Sequence, residues 1–337
     1  MSSAVKLKPL REQVIVITGA SSGIGRATAC MAARRGAQVV CAARNAEALD
    51  TLVDEIERAG GRALAAPCDV TDTAAVRALG ERAIAWAGRI DCWVNNAGVA
   101  IASELADLPE AEARRLFDVN FWGVVAGSQT ALPYLERQGG ALINMGSFLS
   151  DVAAPFMGIY AASKHAVKGY TDALRIEFKM DRRNVSVTLI KPAPIATPVL
   201  QHQRNRLGRQ ATMPPPFYRP DDVAAAILYT AEHPVRDLFV GGPARLGSVL
   251  GQALPALTDL FAARSAHHLF TNAHPAQDRP DNLFGLSLPA VIDGDTHGHT
   301  ARHSLYTALR LRPRTTALAV MAIALIGIAG RHAGRIR

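Results

Sequence analysis

Tyr160 and Lys164 stand four residues apart in Tyr160-Ala161-Ala162-Ser163-Lys164, inside a stretch of helical apolar periodicity. Both side chains therefore project from one face of a helix. A phenol of ordinary pKa, about 10, is a poor base near neutrality. A neighbouring ammonium stabilises the phenolate and lowers that value, so the pair suits proton transfer to or from a substrate oxygen. In a chain with six Tyr and six Lys the spacing arises by accident about 0.1 times, so it needs support from its surroundings. Ser147 lies thirteen residues before Tyr160, just past the apolar run 141–145, and Asn120 sits in the long helical stretch before that run. Asn95-Asn96-Ala97-Gly98 follows another apolar run, 92–94. The carboxyl ends of parallel strands are where open α/β sheets bind ligands.

A second constellation lies near the start. The run 14–18 leads into Thr18-Gly19-Ala20-Ser21-Ser22-Gly23-Ile24-Gly25 and then into a helical pattern. Gly19 permits a tight turn, Gly23 lets backbone approach phosphates, and Gly25 allows close helix–strand packing. A pyrophosphate would sit on the free N–H groups of the helix N-terminus. At the end of the second strand, Cys41-Ala42-Ala43-Arg44 has no acid to hold an adenosine ribose, and Arg44 is suited to a 2′-phosphate. The expected cofactor is thus NADP(H) in preference to NAD(H).

These groups need a scaffold, and the pattern around them supplies one. Strand candidates fall at 14–18, 38–42, 63–66, 92–94, 141–145, 185–190 and 238–240. Several are apolar at consecutive positions, as strands covered on both faces are. Amphipathic stretches lie between them near 26–35, 46–59, 73–87, 110–138, 158–180 and 221–232. This alternation predicts a parallel sheet with helices on both sides.

With Thr18–Gly25, Asp69-Val70, Asn95–Gly98, Asn120, Ser147, Tyr160, Lys164 and the segment Lys191-Pro192-Ala193-Pro194-Ile195-Ala196-Thr197 in this order, the chain resembles the short-chain dehydrogenase/reductase family over residues 11–242. The resemblance implies an α/β Rossmann-like, doubly wound parallel sheet of seven strands with helices on both faces. It also implies hydride exchange between nicotinamide and a carbonyl or secondary alcohol, often in a homo-oligomer. Tyr160 would be the acid/base, Ser147 would orient the substrate oxygen, and Lys164 would tune Tyr160 and bind the ribose. Asn120 would hold a water that relays protons outward. Gly19, Ser21, Ser22, Gly23, Ile24 and Gly25 would cradle the phosphates. Arg44, Asp69 and Val70 would meet the adenosine, Asn96, Ala97 and Gly98 the inner ribose, and Pro192, Ile195 and Thr197 the nicotinamide carboxamide. Pro192-Ala193 departs from the family's frequent Pro-Gly, which implies a slightly different turn. Sugar-nucleotide epimerases share the Tyr/Lys chemistry but need a larger C-terminal substrate domain. A non-catalytic NADP(H)-binding sensor or scaffold at a membrane is the alternative from another class.

The net charge of +8 does not point to nucleic acid. Seven Arg fall in 301–337 and four in 201–220, neither with an acid, so the rest of the chain is slightly acidic rather than a basic face. The four Cys have no metal or redox spacing and read as small apolar residues, in keeping with a cytoplasmic compartment. By the same family resemblance, residues 195–219, with Pro214-Pro215-Pro216 near their end, would form the substrate lid. Val199, Leu200, Phe217 and Tyr218, with Phe148, Phe156 and Met157, would line an apolar pocket for a hydrophobic carbonyl or alcohol. Past Gly242 the pattern weakens into a helical and irregular extension, 243–314, with one helical stretch at 246–270. Asp293, Asp295, His297, His299 and His303 have the residue types of a metal site but no ligand spacing, so no metal is expected. The uncharged run 315–330 is short of a membrane span. A short anchor, an interfacial helix at the cytoplasmic face of a membrane, and a helix buried against another subunit all remain open for it.

Overall fold

The apolar runs are strands and the amphipathic stretches helices in the computed structural model, which describes residues 5–276, 279–286, 290–295, 299–301 and 303–312. Seven parallel strands are β1 (Val14–Thr18), β2 (Gln38–Ala43), β3 (Arg62–Pro67), β4 (Cys92–Asn95), β5 (Gly140–Met145), β6 (Val185–Pro192) and β7 (Asp237–Val240). They form one sheet in the order β7-β6-β5-β4-β1-β2-β3. The helices are α1 (Gly23–Arg34), α2 (Ala46–Arg58), α3 (Thr73–Ala87), α4 (Glu110–Phe117), α5 (Gly123–Gln138), α6 (Gly158–Met180), α7 (Val199–His202), α8 (Pro220–Glu232), α9 (Gly242–Ala253), α10 (Pro255–Phe270) and α11 (Leu305–Arg310). This is the Rossmann-like, doubly wound α/β fold.

Apolar residues at consecutive strand positions are required because side chains alternate across a sheet covered on both faces. In β1, Ile15 and Ile17 join one buried cluster with Leu49, Leu52 and Ile56 of α2 and Val223 and Ile227 of α8. Val14 and Val16 join the opposite cluster with Val76 and Leu79 of α3, Leu135 of α5 and Phe178 of α6. Strands β2, β4 and β5 divide in the same way: Val39 and Val40, Val94 and Trp93, and Ile143 and Leu142 face opposite cores. The strand order reverses between β1 and β4, so the loops after these two strands part and leave a crevice at their carboxyl ends. Gly19, Ser21–Ile24, Asn96–Gly98, Ser147, Tyr160, Lys164, Pro192, Ile195 and Thr197 border that crevice.

Two helical stretches differ from the sequence pattern. The stretch 110–138 is broken by a π-helical turn at Asp118–Trp122. This wider turn carries Asn120, which is fully buried; such turns often accompany functional sites. The stretch 246–270 divides at Pro255, which begins α10 because proline lacks the N–H that would continue α9.

The extension folds back on the sheet domain. Thr271–Pro275 pairs antiparallel with Arg209–Ala211, and Phe217 exchanges backbone hydrogen bonds with His299 and Ala301. Tyr306 and Leu311 pack against the α1/α2/α8 side of the core. Leu246, Leu257, Leu260 and Phe261 on α9 and α10 are exposed. Among the described residues no helix is long and apolar enough to cross a membrane. The run 315–330 lies outside the described residues. So does His297, and among the described residues no three His, Cys, Asp or Glu side chains gather around a point where a metal could sit. All four Cys are free and buried, and burial pushes the thiols of Cys30 and Cys68 up to about 11 and that of Cys41 to about 12.

Candidate active site

The turn after β1 is built from glycines that nothing else could replace. Gly19 and Gly23 take positive φ, 68° and 53°. A Cβ on Gly19 would stand 2.8 Å from the Ala97 Cα, and one on Gly25 would collide with the Gly19 carbonyl oxygen. Thr18 and Asn96 tie the turn to the loop after β4. The Thr18 hydroxyl accepts from the Asn96 and Ala97 N–H groups at 3.0 and 3.1 Å, and the Asn96 amide donates to the Thr18 and Gly19 carbonyls. Thr18 opens the motif in the sequence but received no role there, because one hydroxyl at a strand end carries no pattern of its own. Helix α1 starts at Gly23 with no acid in its first turn and no side-chain cap on Ser22, a terminus whose dipole favours an acceptor or an anion and whose Gly23 N–H is met by the Val291 carbonyl at 2.9 Å. The cradle fits a dinucleotide pyrophosphate.

Tyr160 and Lys164 project from the first two turns of α6. The Lys164 Nζ donates to the Met145 carbonyl at the end of β5, 2.8 Å away, and lies 5.6 Å from the centre of the Tyr160 ring. Ser147 caps the short turn Phe148–Ser150. Its Oγ accepts from the Leu149 N–H at 3.1 Å, while its own N–H donates to the Ser150 hydroxyl. With the Leu149 N–H on its oxygen, the Ser147 hydroxyl still has its proton to offer the Tyr160 oxygen, and its influence on the phenol is to favour the ionised form. The turn is braced from below by Asp151, whose carboxylate receives Lys191 at 3.0 Å and the Ser248 hydroxyl of α9 at 2.7 Å. Asn120 clasps the Val99 backbone, accepting from its N–H at 2.8 Å and donating to its carbonyl at 2.9 Å. Gly98 lies between the Asn120 oxygen and Lys164 Nζ, 3.4 and 3.8 Å from where its Cβ would be.

Burial governs the proton affinities. It pushes the Tyr160 phenol above its ordinary value, against the Ser147 hydrogen bond that lowers it, and it pulls the Lys164 ammonium down to about 8. The expected lowering of Tyr160 by Lys164 is therefore outweighed by burial; the lysine donates to the Met145 carbonyl rather than to the phenol oxygen. Burial alone would raise Asp69, but the Thr71 N–H and hydroxyl and the Arg115 guanidinium hold its carboxyl below the usual range.

Of the residues singled out in the sequence, Gly19, Ser21, Ser22, Gly23, Ile24, Asn96, Ala97, Gly98, Ser147, Tyr160, Lys164, Pro192, Ile195 and Thr197 line one cavity of about 440 Å³. Gly25 packs behind it and Asn120 beneath it. Arg44, Asp69 and Val70 are at one end, outside the cavity wall and under residues 281–286: Arg44 donates to the Asn282 carbonyl at 2.6 Å, and Arg115, paired to Asp69 at 2.9 Å, donates to the Leu283 carbonyl at 3.1 Å. At the other end Phe148, Met157 and Val199 line the cavity as expected. Phe217 and Tyr218 do not, being buried in the domain, and Leu200 and Phe156 face a separate small cavity. Leu149, Met213 and Phe270 take their places. Ala193 is not in the left-handed region, and its N–H bonds to the Val240 carbonyl at 2.8 Å, so the family's glycine is not needed there.

A family profile described as short chain dehydrogenase matches residues 13–208. An uncharacterized oxidoreductase, YxnA, of Bacillus subtilis is 40% identical over 324 residues, covering 95% of this chain and 91% of that protein, so the similarity takes in the extension as well as the sheet domain. A short chain dehydrogenase/reductase from Burkholderia phymatum in complex with NAD superposes with a TM-score of 0.68 at 26% identity, covering 75% of this chain and 97% of the other. An alcohol dehydrogenase from Thermococcus sibiricus complexed with 5-hydroxy-NADP superposes with a TM-score of 0.60 at 26% identity, covering 68% and 95%.

Proposed function

The chain belongs to the short-chain dehydrogenase family, and we propose that it is an NADP(H)-dependent enzyme that interconverts an apolar carbonyl and its alcohol with Tyr160 as acid/base. Membership makes it an NAD(P)(H)-dependent oxidoreductase acting on CH–OH or C=O groups. The preference for NADP(H) rests on Arg44 at the end of β2 and the absence of an acid at Ala43. The apolar substrate rests on Phe148, Leu149, Met157, Val199, Met213 and Phe270 around the far end of the cavity.

The observation that carries the reading is the convergence of Tyr160, Ser147 and Lys164 on the cavity into which the glycine turn opens. Bound there, the nicotinamide would supply or accept the hydride. The chain's residues do the rest. Tyr160, protonated at neutral pH, donates its proton to the developing alkoxide oxygen, and in the reverse direction takes the proton from the alcohol. Ser147 donates a hydrogen bond to the same oxygen and fixes its position. Lys164 places a cation near that proton, and Asn120, which fixes the Val99 backbone, would hold the water that relays protons outward.

The test is turnover of NADPH with a panel of hydrophobic ketones and aldehydes. Tyr160→Phe is expected to bind NADPH as the parent does and to lose roughly 10²–10⁴-fold in rate, the range for a positioned acid/base. If Tyr160→Phe keeps full rate on a substrate the parent reduces, the assignment is wrong.

A further inference from the structure

The adenosine end of the cofactor groove is crossed by the chain's own extension. Leu283 is fully buried in the same apolar cluster as Val70, Val99, Leu116 and Val119, and Arg115 joins its carbonyl to the Asp69 carboxylate. The carbonyls of Asn282 and Phe284 accept from the two terminal nitrogens of Arg44, at 2.6 and 3.5 Å. Further on, the Val291 carbonyl accepts from the Gly23 N–H at the start of α1, 2.9 Å away. Gly294 donates to the Ala196 carbonyl and lies so close that a Cβ on it would collide with the Thr197 carbonyl. The crossing is anchored to the lid by the Asp281–Arg204 ion pair at 2.8 Å and by the Asn282 N–H on the His202 carbonyl.

These contacts are of the three kinds that an adenosine 2′-phosphate with its pyrophosphate makes: an apolar body in the slot beside Asp69 and Val70, acceptor oxygens on Arg44, and an acceptor oxygen on the N-terminus of α1. We propose that 281–286 and 290–295 form a strap that occupies the adenosine half of the groove as a built-in competitor of NADP(H), and that it lifts before the dinucleotide seats. The proposal rests on the assignment of this groove to NADP(H). Two features make competition rather than closure over a bound cofactor the consequence of this geometry. Leu283 is fully buried in the apolar cluster that also holds Val70, and the Arg44 donors are already turned to backbone oxygens that would repel a phosphate. The affinity of the groove is then its intrinsic affinity reduced by the fraction of molecules with the strap lifted.

The experiment compares the full chain with Leu283→Ala and Asp281→Ala, which weaken the strap at its plug and at its anchor. NADPH association and release are followed by stopped-flow fluorescence, and hydrogen exchange of the strap amides is read with and without saturating NADPH. The expected result is a rise of about 10-fold or more in association rate and apparent affinity for both variants with release unchanged. In the parent the association rate levels off with NADPH concentration, and the amides of Asn282, Leu283 and Gly294 lose protection when NADPH binds. Faster release in the variants, or added protection of those amides on binding, overturns the proposal and makes the strap a clasp over the bound cofactor. The exchange measurement on the parent decides the matter even if a variant folds poorly. Failure of the parent and both variants to bind NADPH or NADH at all would instead bring down the cofactor assignment, and the strap reading with it.

Discussion

Lys164→Met should make the cofactor-free protein more stable while removing its activity. Lys164 is 4% exposed, and burial lowers its pKa from 10.5 to about 8. Each unit corresponds to about 1.4 kcal/mol, so near pH 7 the folded chain carries a penalty of roughly 3 kcal/mol for the buried ammonium. Methionine of similar length removes the charge but forfeits the hydrogen bond to the Met145 carbonyl, which takes back about 1 kcal/mol. A net gain of about 2 kcal/mol remains. The sign of the pH dependence follows from which state holds the proton. Below about 8 both states are protonated and the penalty is present in full; between about 8 and 10.5 the unfolded lysine still binds a proton that the folded one has released, so parent stability rises with pH relative to the variant. Above 10.5 both are neutral and the difference reaches its alkaline limit. Denaturant unfolding of both proteins without cofactor, at several pH values across this window, reads the difference directly. A variant less stable than the parent near neutrality, or a difference that stays constant across the window, would show that the site solvates the ammonium and that burial is not the governing factor.

Two other substitutions probe the cofactor groove. Gly25→Ala drives a methyl into the Gly19 carbonyl oxygen, which is backbone and cannot swing away; we expect a loss of about 2 kcal/mol or more in unfolding free energy and no measurable NADPH binding in a fluorescence titration. Arg44→Ala should weaken NADPH by about 10- to 100-fold, the worth of a charge-assisted phosphate contact, while leaving NADH unchanged or slightly tighter because the same change loosens the strap at Asn282 and Phe284. Equal weakening of both nucleotides would exclude Arg44 as the 2′-phosphate group.

The sheet was readable because its physics is local and repetitive: a strand between two helix layers must be apolar at successive positions, and all seven such runs are strands. The Tyr160–Lys164 register was readable for the same reason, since helical spacing alone puts the two side chains on one face. What was not readable depends on contacts between distant residues. Asn120 gave a helical signal, and only packing against Val99 and Ser163 accompanies the π turn that turns it inward. Phe217 and Tyr218 read as lid residues because 195–219 falls where the family places its substrate lid, yet Phe217 is held in the body of the domain by His299 and Ala301, more than eighty residues away. Leu283 carried no signal at all in a polar segment, although Asp281 before it and Arg204 in the lid are opposite charges that a contact could pair. The Tyr160 shift had the wrong sign because spacing shows that a lysine is near without showing where its ammonium points.

That sign has a kinetic consequence. With burial raising Tyr160, the phenol keeps its proton throughout the neutral range and is ready to act as an acid, whereas acting as a base requires that proton to leave first. The rate of carbonyl reduction should therefore be nearly flat from about pH 6 to 8, while alcohol oxidation on the same substrate pair climbs with pH through that range and beyond. The Ser147 hydrogen bond is the contribution that lowers Tyr160. Ser147→Ala should thus move the alkaline limb of oxidation to higher pH as well as slow both directions, because the hydroxyl both stabilises the phenolate and orients the substrate oxygen. Initial-rate profiles in the two directions, for the parent and for Ser147→Ala, measure this. An oxidation rate independent of pH, or a limb that moves to lower pH when Ser147 is removed, would mean that Tyr160 is not the titrating group.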